Sequence, residues 1–486
     1  MSKHAAKFVE GSTMKHILVM TGAGSVGLMG LFVVDLVDML FISMLGQVEL
    51  AAAIGFAGTL LFFSTSTSIG TSIAMGALVS KAIGANKRPD ARDIGTSILI
   101  TSVLVSTVIS AVMYFFIPEL LATIGAKGYA AEKAADYMRI MLPSGPILAL
   151  AMSAGAGLRA AGDAKRSMWS KLYGGIVNAV LDPLFIFGFG WNVEGAAIAS
   201  VFARFTVLFF SLYPLIKEYD LLAWPSLQKW LNHIKVIFAI AVPAIITNGA
   251  TPIGNAIITA FIAKSGEDFV AGYAVIGRLV PVSFCLIFAL SGAIGPIIGQ
   301  NFGAGRFDRI KEVLQNSVLV TTAYSVLICL VLYLSQGLII AGFRLTGDAA
   351  GIVSVFCTYI AISYVFNGTL FVVNASFNNL GKPLYSTALN LGKATLGTLP
   401  FVYVGAHVDG AYGVMYGSAL GTVVFGTLAF FVLKKHISQL MLGIEDASLV
   451  EDDPVHCVNT QPFCSHDAMV IEEISAVVQE EEKTAS

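Results

Sequence analysis

The chain has 486 residues, of which 56% are hydrophobic and 12% are charged, and its formal net charge is −2. Soluble domains carry about twice that charged fraction, so we expect a lipid bilayer, rather than one aqueous core, to cover the apolar surface. The net charge says nothing about nucleic acid, but no basic patch interleaved with aromatic residues appears, so we expect no nucleic-acid partner. No phosphate-binding glycine motif appears either, so we expect the chain itself not to use ATP and the energy for any active transport to come from an ion gradient or from partner subunits.

Twelve predicted membrane spans follow one another along the chain when its apolar stretches are compared with the roughly 20 residues that cross a bilayer. They cover residues 16–44, 50–80, 94–117, 133–158, 168–190, 194–216, 236–264, 269–300, 312–342, 350–378, 384–405 and 411–433. Lys and Arg concentrate in alternate connections, which predicts that both termini are cytoplasmic. The polar start has no small-residue cleavage site, so we expect no removable signal peptide.

An internal repeat divides the chain into two copies. Residues 76–93 (GALVSKAIGANKRPDARD) and residues 295–312 (GPIIGQNFGAGRFDRIKE) share a glycine pattern followed by basic and acidic residues. Because each copy holds six spans, an even number, we expect the copies to have the same orientation, with a pseudo-two-fold axis along the membrane normal. The sequence therefore predicts an all-α polytopic membrane protein with twelve transmembrane helices in two six-helix lobes.

The predicted domain boundaries follow from this repeat and from changes in composition. We expect a cytoplasmic N-terminal segment, an amino lobe, an inter-lobe linker that forms a short interfacial helix, a carboxy lobe, and an acidic disordered cytoplasmic tail. These five parts cover residues 1–15, 16–218, 219–233, 234–440 and 441–486.

Three carboxylates lie inside apolar spans of the amino lobe. Asp35 and Asp38 are in the first span, and Asp182 is in the fifth. At about 100° per residue the first two share a helix face, and Asn178 precedes Asp182 by one turn on its own face. Ionised groups at this depth are costly and usually serve a cation, a proton or a water-filled cavity. Two carboxylates so close in a low dielectric cannot both ionise cheaply, which predicts a group that binds and releases a proton.

Two other interpretations of these acids remain open at this stage. They could be structural, neutralised by hydrogen bonds, with Asn178 and Asp182 helping to join the first and fifth spans. Alternatively, the same carboxylate and amide oxygens could form a cage for Na⁺. No catalytic or metal-ligating constellation lies at membrane depth, so the sequence predicts neither an enzyme nor a metal site.

The carboxy lobe offers amides where the amino lobe offers acids. Its acidic residues all fall at predicted span ends or in loops, and Asn255 is the repeat counterpart of Asp35. Small polar residues between membrane helices more often serve packing than binding. We nevertheless predict four possible cavity-lining residues, which are Ser153, Asn248, Asn255 and Asn374.

Several segments together carry a family resemblance, among them VDMLFISMLGQVELAAAIGFA, LRAAGDAKRSMW, NAVLDPLFIFGFG and GAIGPIIGQNFGAGRFDRI. In this order and spacing the chain resembles the multidrug and toxic compound extrusion (MATE) family over residues 8–440. The resemblance implies a cation-coupled antiporter of the bacterial inner membrane that needs no cofactor, works as a monomer and exports organic cations and drugs. It places Asp182 in an amino-lobe cation site and matches Asp38, whereas Asp35 often corresponds to Asn in related chains.

The lack of acids at membrane depth in the carboxy lobe is similar to the DinF-like branch of that family, which implies coupling through the amino lobe. This favours a proton gradient, with a Na⁺-coupled drug antiporter as the alternative. A flippase for a lipid-linked precursor is a further alternative. It would need a cationic cleft for phosphates, and we expect none in these spans.

Overall fold

The computed structural model describes residues 6–45 and 48–442 of the chain. Within these ranges the secondary structure is helical, with short connections and no strands. The acidic tail predicted for residues 441–486 lies outside the described residues from residue 443 onward. Residues 1–5 of the predicted N-terminal segment also lie outside them.

Eight helices form the amino lobe. They are α1 (Thr13–Met44), α2 (Val48–Gly84), α3 (Arg88–Phe115), α4 (Ile117–Thr123), α5 (Gly128–Met141), α6 (Gly145–Ala160), α7 (Ala164–Pro183) and α8 (Asn192–Lys217). The 3₁₀ turn Leu142–Ser144 joins α5 to α6 as one membrane segment, and the π turn Leu184–Gly188 continues α7. Pro143 and Pro183 stand at these two points, where a missing N–H interrupts regular helical bonding.

Eight further helices form the carboxy lobe. They are α9 (Leu227–Ala263), α10 (Glu267–Ser283), α11 (Cys285–Gly303), α12 (Phe307–Gly342), α13 (Gly347–Val355), α14 (Tyr364–Asn379), α15 (Pro383–Ala394) and α16 (Leu399–Met441). Only Phe284 separates α10 from α11, and the turns Phe356–Ile360 and Ala361–Ser363 join α13 to α14. Residues 267–303 therefore occupy the place in the second copy that α2 occupies in the first.

Helix α16 consists of two transmembrane arms. Its backbone leaves the helical conformation at Asp409 and at Gly410, whose φ is +51°. The arms then approach so closely that a methyl group at Gly413 would overlap the carbonyl oxygen of Gly405. Only glycine allows both the left-handed turn and this backbone contact.

The number of membrane-crossing helices agrees with the predicted number. Among the described residues, ten helical stretches are long and apolar enough to cross a membrane. The last of these, Pro383–Met441, contains two crossings, and α7 adds another. The prediction of an all-α protein with twelve transmembrane helices is therefore confirmed.

The two lobes meet through the two copies of the repeat. A methyl group at Gly84 would overlap the backbone of Gln300, and one at Gly303 would overlap the carbonyl oxygen of Lys81. Farther along the same helices, α1 packs on α11 and α2 packs on α9, as a pseudo-two-fold axis requires. The two lobes are thus in contact over one half of the molecule. This half runs from the middle of the helices to the end where residues 85–87 follow α2 and residues 304–306 follow α11.

An N-terminal strap, residues 6–12, crosses this joined end. The buried Phe8 donates its N–H to Oε1 of Gln300 at 2.9 Å, and Nη2 of Arg309 donates to the carbonyl oxygen of Phe8 at 2.9 Å. On the amino-lobe side, Nζ of Lys7 donates to the carbonyl oxygen of Gly162 at 3.0 Å. The strap therefore holds both lobes together at the end with the basic connections.

The inter-lobe linker differs from the predicted short helix. Residues 218–226 run without helix across α3, and residues from Leu227 onward already belong to α9. Thr96 fixes this path, because its Oγ1 accepts the N–H of Ala223 at 2.9 Å and donates to the carbonyl oxygen of the same residue at 3.1 Å. Pro225 also disfavours a helical conformation at the residue before it.

Candidate functional site

The helices that carry the predicted carboxylates, α1 and α7, pack against each other. Glycines make this approach close. The side chain of Leu172 fills the space that a methyl group at Gly30 would need, and Val34 lies 2.9 Å from the Cβ position of Gly175. Asp35 and Asp38 of the first span and Asp182 of the fifth are consequently held within one helix pair.

A contact between two carboxyl groups forms the centre of the amino-lobe site. Asp182 is 0% exposed, and Nδ2 of Asn178 donates to its Oδ1 at 3.3 Å. The carboxyl group of Asp38 lies within hydrogen-bond reach of the Asp182 carboxyl. One oxygen on each acid, Oδ1 of Asp38 and Oδ2 of Asp182, is buried without a donor from any described residue. Carboxylates only accept hydrogen bonds, so these two can bond to each other only when one carries a proton.

Asp35 is outside this pair. Its side chain is exposed on α1, one turn before Asp38, and Asp38 is the charged group that acts on it. Asp35 is therefore positioned between the accessible surface of α1 and the buried pair. The sequence left open which of the two acids is primary, and in the structure Asp38 is the one that contacts Asp182.

A tyrosine lies within electrostatic range of the pair, and an arginine lies beside that tyrosine. Tyr137 of α5 is hydrogen-bonded to Ser200 of α8, and its hydroxyl is within electrostatic range of Asp38, Asp182 and Arg204. Nη1 of Arg204 donates to Oγ of Ser144 at 2.6 Å and to the carbonyl oxygen of Met141 at 3.1 Å. The 3₁₀ turn between α5 and α6 supplies both acceptors. The guanidinium of Arg204 is thus fixed at this turn, on the side of Tyr137.

The sequence reasoning missed Tyr137 and Arg204. Arg204 stands in the middle of α8, so the rule that selected the acids, a charge at membrane depth, would have selected it as well. Tyr137 carries no comparable signal, because a tyrosine in an apolar helix most often serves packing.

The four possible cavity-lining residues have different environments. Ser153 is fully buried, and its hydroxyl contacts that of Ser102 at 2.9 Å between α6 and α3. Asn248 donates to a carbonyl oxygen of its own helix at 2.8 Å. Asn374 accepts a hydrogen bond of 2.7 Å from Asn390. Asn255 lines a cavity in the carboxy lobe. These contacts give Ser153 and Asn374 roles in helix packing.

The carboxy-lobe cavity has a volume of about 400 Å³. Aromatic rings form much of its wall, and its polar groups come from amides, hydroxyls and Lys393 of α15. Nζ of Lys393 donates to Oδ1 of Asn367 at 2.6 Å. None of the described residues that line the cavity is Asp or Glu.

Lys393 corrects one expectation from the sequence. The spans were expected to offer no cationic cleft, yet this lysine lies within predicted span 384–405 and lines the cavity. The expectation failed because Lys393 was overlooked among the charges inside the predicted spans. Lys393, inside the eleventh predicted span, is a charged residue at membrane depth in the carboxy lobe, as the aspartates of the first and fifth spans are in the amino lobe.

Comparison with known proteins identifies the family. The family model described as MatE matches residues 25–184 and 243–404. The first block contains the carboxyl pair, and the second contains Lys393 and most of the residues that line the carboxy-lobe cavity. Among relatives, a FAD transporter of Shewanella oneidensis is 28% identical over 426 residues, covering 86% of this chain and 94% of that protein. Multidrug export protein MepA of Staphylococcus aureus is 22% identical over 425 residues, covering 86% and 92%.

Solved structures share the fold. A MOP superfamily transporter from Pyrococcus furiosus superimposes with a TM-score of 0.85 at 21% identity, covering 91% of this chain and 99% of that one. The MATE transporter VcmN of Vibrio cholerae gives a TM-score of 0.83 at 24% identity, covering 88% and 97%. Together with the family model, which covers both lobes, these matches show that the chain is a multi-pass membrane protein belonging to the MatE family.

Proposed function

We propose that this chain is a secondary active transporter that exports small amphipathic molecules in exchange for external protons. The observation that carries the proposal is the contact between the carboxyl groups of Asp38 and Asp182, each with a buried oxygen that lacks a donor. Membrane-embedded acids without a fixed counter-charge on those oxygens are suited to binding and releasing a proton.

The proton acts on the packing of α1 against α7. When the pair holds one proton, the two acids are hydrogen-bonded and the helices stay together. When it holds none, two like charges repel at close range in a low dielectric, which favours a different arrangement of α1. Each tenfold difference in proton affinity between two conformations is worth about 1.4 kcal/mol, so a difference of a few kcal/mol is sufficient to drive alternating access.

Neighbouring residues have separate roles in this mechanism. Asn178 orients the Asp182 carboxyl through its amide. Asp35, which is exposed, passes protons between the accessible surface and Asp38. Tyr137, whose hydroxyl lies within electrostatic range of both acids, stabilises the ionised form after the proton leaves.

The conformation described here is closed at the end with the basic connections. If those connections are cytoplasmic, as the distribution of Lys and Arg favours, both termini are cytoplasmic and this is the outward-facing state. External protons then reach the amino lobe in this state, and the closed end prevents leakage to the cytoplasm. All twelve transmembrane helices come from one chain, which supports a monomer as the working unit.

The substrates that the sequence favours are organic cations and drugs, and one relative is named a multidrug export protein. A second candidate is export of an anionic flavin nucleotide, because another relative is named a FAD transporter and Lys393 lines the carboxy-lobe cavity. Sodium is the alternative coupling ion, since the oxygens of Asp38, Asn178 and Asp182 suit a hard cation.

Proteoliposomes test this proposal. Efflux of ethidium is measured under a pH gradient without Na⁺ and then under a Na⁺ gradient with no pH difference. We expect the pH gradient alone to drive efflux, Asp38→Asn and Asp182→Asn to abolish it, and Asp35→Asn to slow it. Asp268→Asn, at an exposed acid in the first turn of α10, is the matched control. Efflux driven by Na⁺ alone, or normal efflux from all three amide variants, would contradict proton coupling through these acids.

A further inference from the structure

We propose that the carboxy-lobe cavity is a binding site for aromatic organic anions, in which Lys393 holds the anionic group. This inference rests on the proposed transport function, because it names a substrate class for the same protein. It concerns a lobe that the proton mechanism does not use. The amino lobe would then handle protons, and the carboxy-lobe cavity would hold those substrates that are anionic.

The first argument is the unbalanced charge of Lys393. A lysine within a membrane span costs about 3 kcal/mol near the bilayer centre, so such residues normally pair with an acid or serve a ligand. An ammonium group has three donors, and among the described residues its one hydrogen bond is the 2.6 Å contact with Asn367, a neutral acceptor. With no Asp or Glu among the described lining residues, the remaining donors and the positive charge are available to an anion.

The second argument is the set of polar groups around the lysine. Asn390 stands one helical turn before Lys393 on the same face of α15. Its Nδ2 donates to Asn374 at 2.7 Å and to the carbonyl oxygen of Ser386 at 2.8 Å, which fixes the amide in place. Hydroxyls of Thr251, Ser363, Thr398, Ser418 and Thr422 line the same cavity. Together with Lys393, these polar groups are suited to an oxygen-rich ligand group such as a phosphate, a carboxylate or a sulfonate.

The third argument is the aromatic part of the cavity wall. Tyr273, Phe288, Phe356, Tyr364 and Phe371 line the cavity, and the rings of Phe288 and Phe371 lie 5.4 Å apart. Rings of this kind bind flat aromatic ligands by stacking or by edge contacts. The volume of about 400 Å³ falls in the range of small-molecule sites. An aromatic system joined to an anionic group matches both the aromatic and the polar lining residues.

A purely structural role for Lys393 explains these observations less well. Its bond to Asn367 does connect α15 to α14, but a neutral amide at position 393 would make the same bond without burying a charge. Nor does helix packing require a cavity beside the lysine. An organic cation is equally disfavoured here, because Lys393 would repel it.

The test uses a pair of ligands that share one ring system. Riboflavin is neutral and flavin mononucleotide adds only a phosphate, so the ratio of their Kd values isolates the anionic group. Purified full-length protein in neutral detergent is titrated with each, and binding is followed by quenching of flavin fluorescence. We expect the mononucleotide to bind at least tenfold more tightly, a difference of about 1.4 kcal/mol.

Variants assign that preference to the lysine. Lys393→Met should remove it, Lys393→Arg should retain most of it, and Lys264→Met, at an exposed lysine that ends α9, should leave it unchanged. The arginine variant also shows that the site tolerates substitution if the methionine variant does not fold. Equal affinity of the wild type for the two flavins, or an unchanged preference in Lys393→Met, would overturn the proposal. Loss of mononucleotide binding when phosphatidylglycerol is added to the detergent would also overturn it, because a lipid headgroup would then be the ligand.

The flavin-binding experiment and the efflux experiment test different proposals, so a negative result in one does not decide the other. Flavin binding needs no gradient, so its absence in a protein that still exports ethidium under a pH gradient removes only the anion site. If flavin binding depends on Lys393 but neither a pH gradient nor a Na⁺ gradient drives efflux, the anion-site proposal stands and the proposed transport mechanism is rejected.

Discussion

The carboxyl group of Asp38 on α1 meets that of Asp182 on α7 inside the amino lobe, and one buried oxygen of each acid has no donor among the described residues. A pair of this kind is stable with one proton and repulsive with none. It therefore links the protonation of the site to the packing of the two helices, and several consequences can be measured.

The thermal stability of the protein should depend on this pair. As the pH rises and the shared proton leaves, repulsion between the two carboxylates should lower the melting temperature of the wild type. Asp38→Asn replaces one acid with an amide that can donate to Asp182, so its melting temperature should depend less on pH and should exceed that of the wild type in alkaline buffer. Melting curves in detergent across a pH series measure this, with Asp268→Asn as the control. Parallel curves for Asp38→Asn and the wild type would contradict it.

Arg204 should contribute to the stability of the amino lobe. Arg204→Met removes the bonds to Ser144 and to the carbonyl oxygen of Met141, and hydrogen bonds from a charged donor are worth about 1.5–3 kcal/mol each. Arg139→Met is the matched control, because Arg139 makes only an exposed ion pair with Asp136, of a kind worth about 0–1 kcal/mol. Thermal denaturation should show a clearly larger loss for Arg204→Met. Equal losses would mean that Arg204 is not a structural anchor.

The close backbone contact between the lobes should be sensitive to one methyl group. In Gly303→Ala the new Cβ would overlap the carbonyl oxygen of Lys81, and neither backbone can move aside without separating the helices. Cys285 reports such a separation, because it is buried and its Sγ faces the carbonyl oxygen of Ser25 on α1 at 3.4 Å. In a protein whose other four cysteines are replaced by serine, we expect maleimide to label Cys285 faster when Gly303→Ala is present.

A control for this labelling lies on the same helix. Gly292 of α11 has no atom within 4 Å of its Cβ position, so Gly292→Ala should leave the labelling rate unchanged. The interpretation fails if both alanine variants label alike, because the rate would then report a general loosening of α11.

The N-terminal strap should depend on Arg309. Its guanidinium donates to the carbonyl oxygens of Phe8 and Gly11 and to Oδ1 of Asn301, at 2.9 to 3.0 Å. Lysine lacks the planar fork that makes these bonds together, so Arg309→Lys should loosen the strap. Hydrogen–deuterium exchange should then be faster in residues 6–12. Arg306→Lys, at an exposed neighbour, is the control, and no difference between the two variants would show that the strap is held by other contacts.

The fold was largely predictable because its signals are local. Apolar length gives the spans, and the two glycine-rich repeats give the two lobes. The same glycines turned out to form the contact between lobes, which the repeat alone does not reveal, since it depends on how α2 and α11 cross. The non-helical path of residues 218–226 was not predictable either, because Thr96 of a different helix holds it in place.

The candidate site was predictable in part. A charge at membrane depth is a strong signal, and it selected Asp35, Asp38 and Asp182. Which two acids meet depends on the rotation of α1 against α7, and a single helix does not contain that information. Lys393 carried the same signal but was not selected. Its importance emerged only from the cavity beside it and from the neutral partner, Asn367.

Infrared spectroscopy of the protonated carboxyl group tests the central claim most directly, because it needs no substrate and no gradient. A pH titration of the purified wild type should show the C=O stretch of a protonated acid that disappears in alkaline buffer. We expect this signal to be lost or strongly reduced in both Asp38→Asn and Asp182→Asn and to persist in Asp268→Asn. An undiminished signal in both pair variants would contradict a proton shared between Asp38 and Asp182.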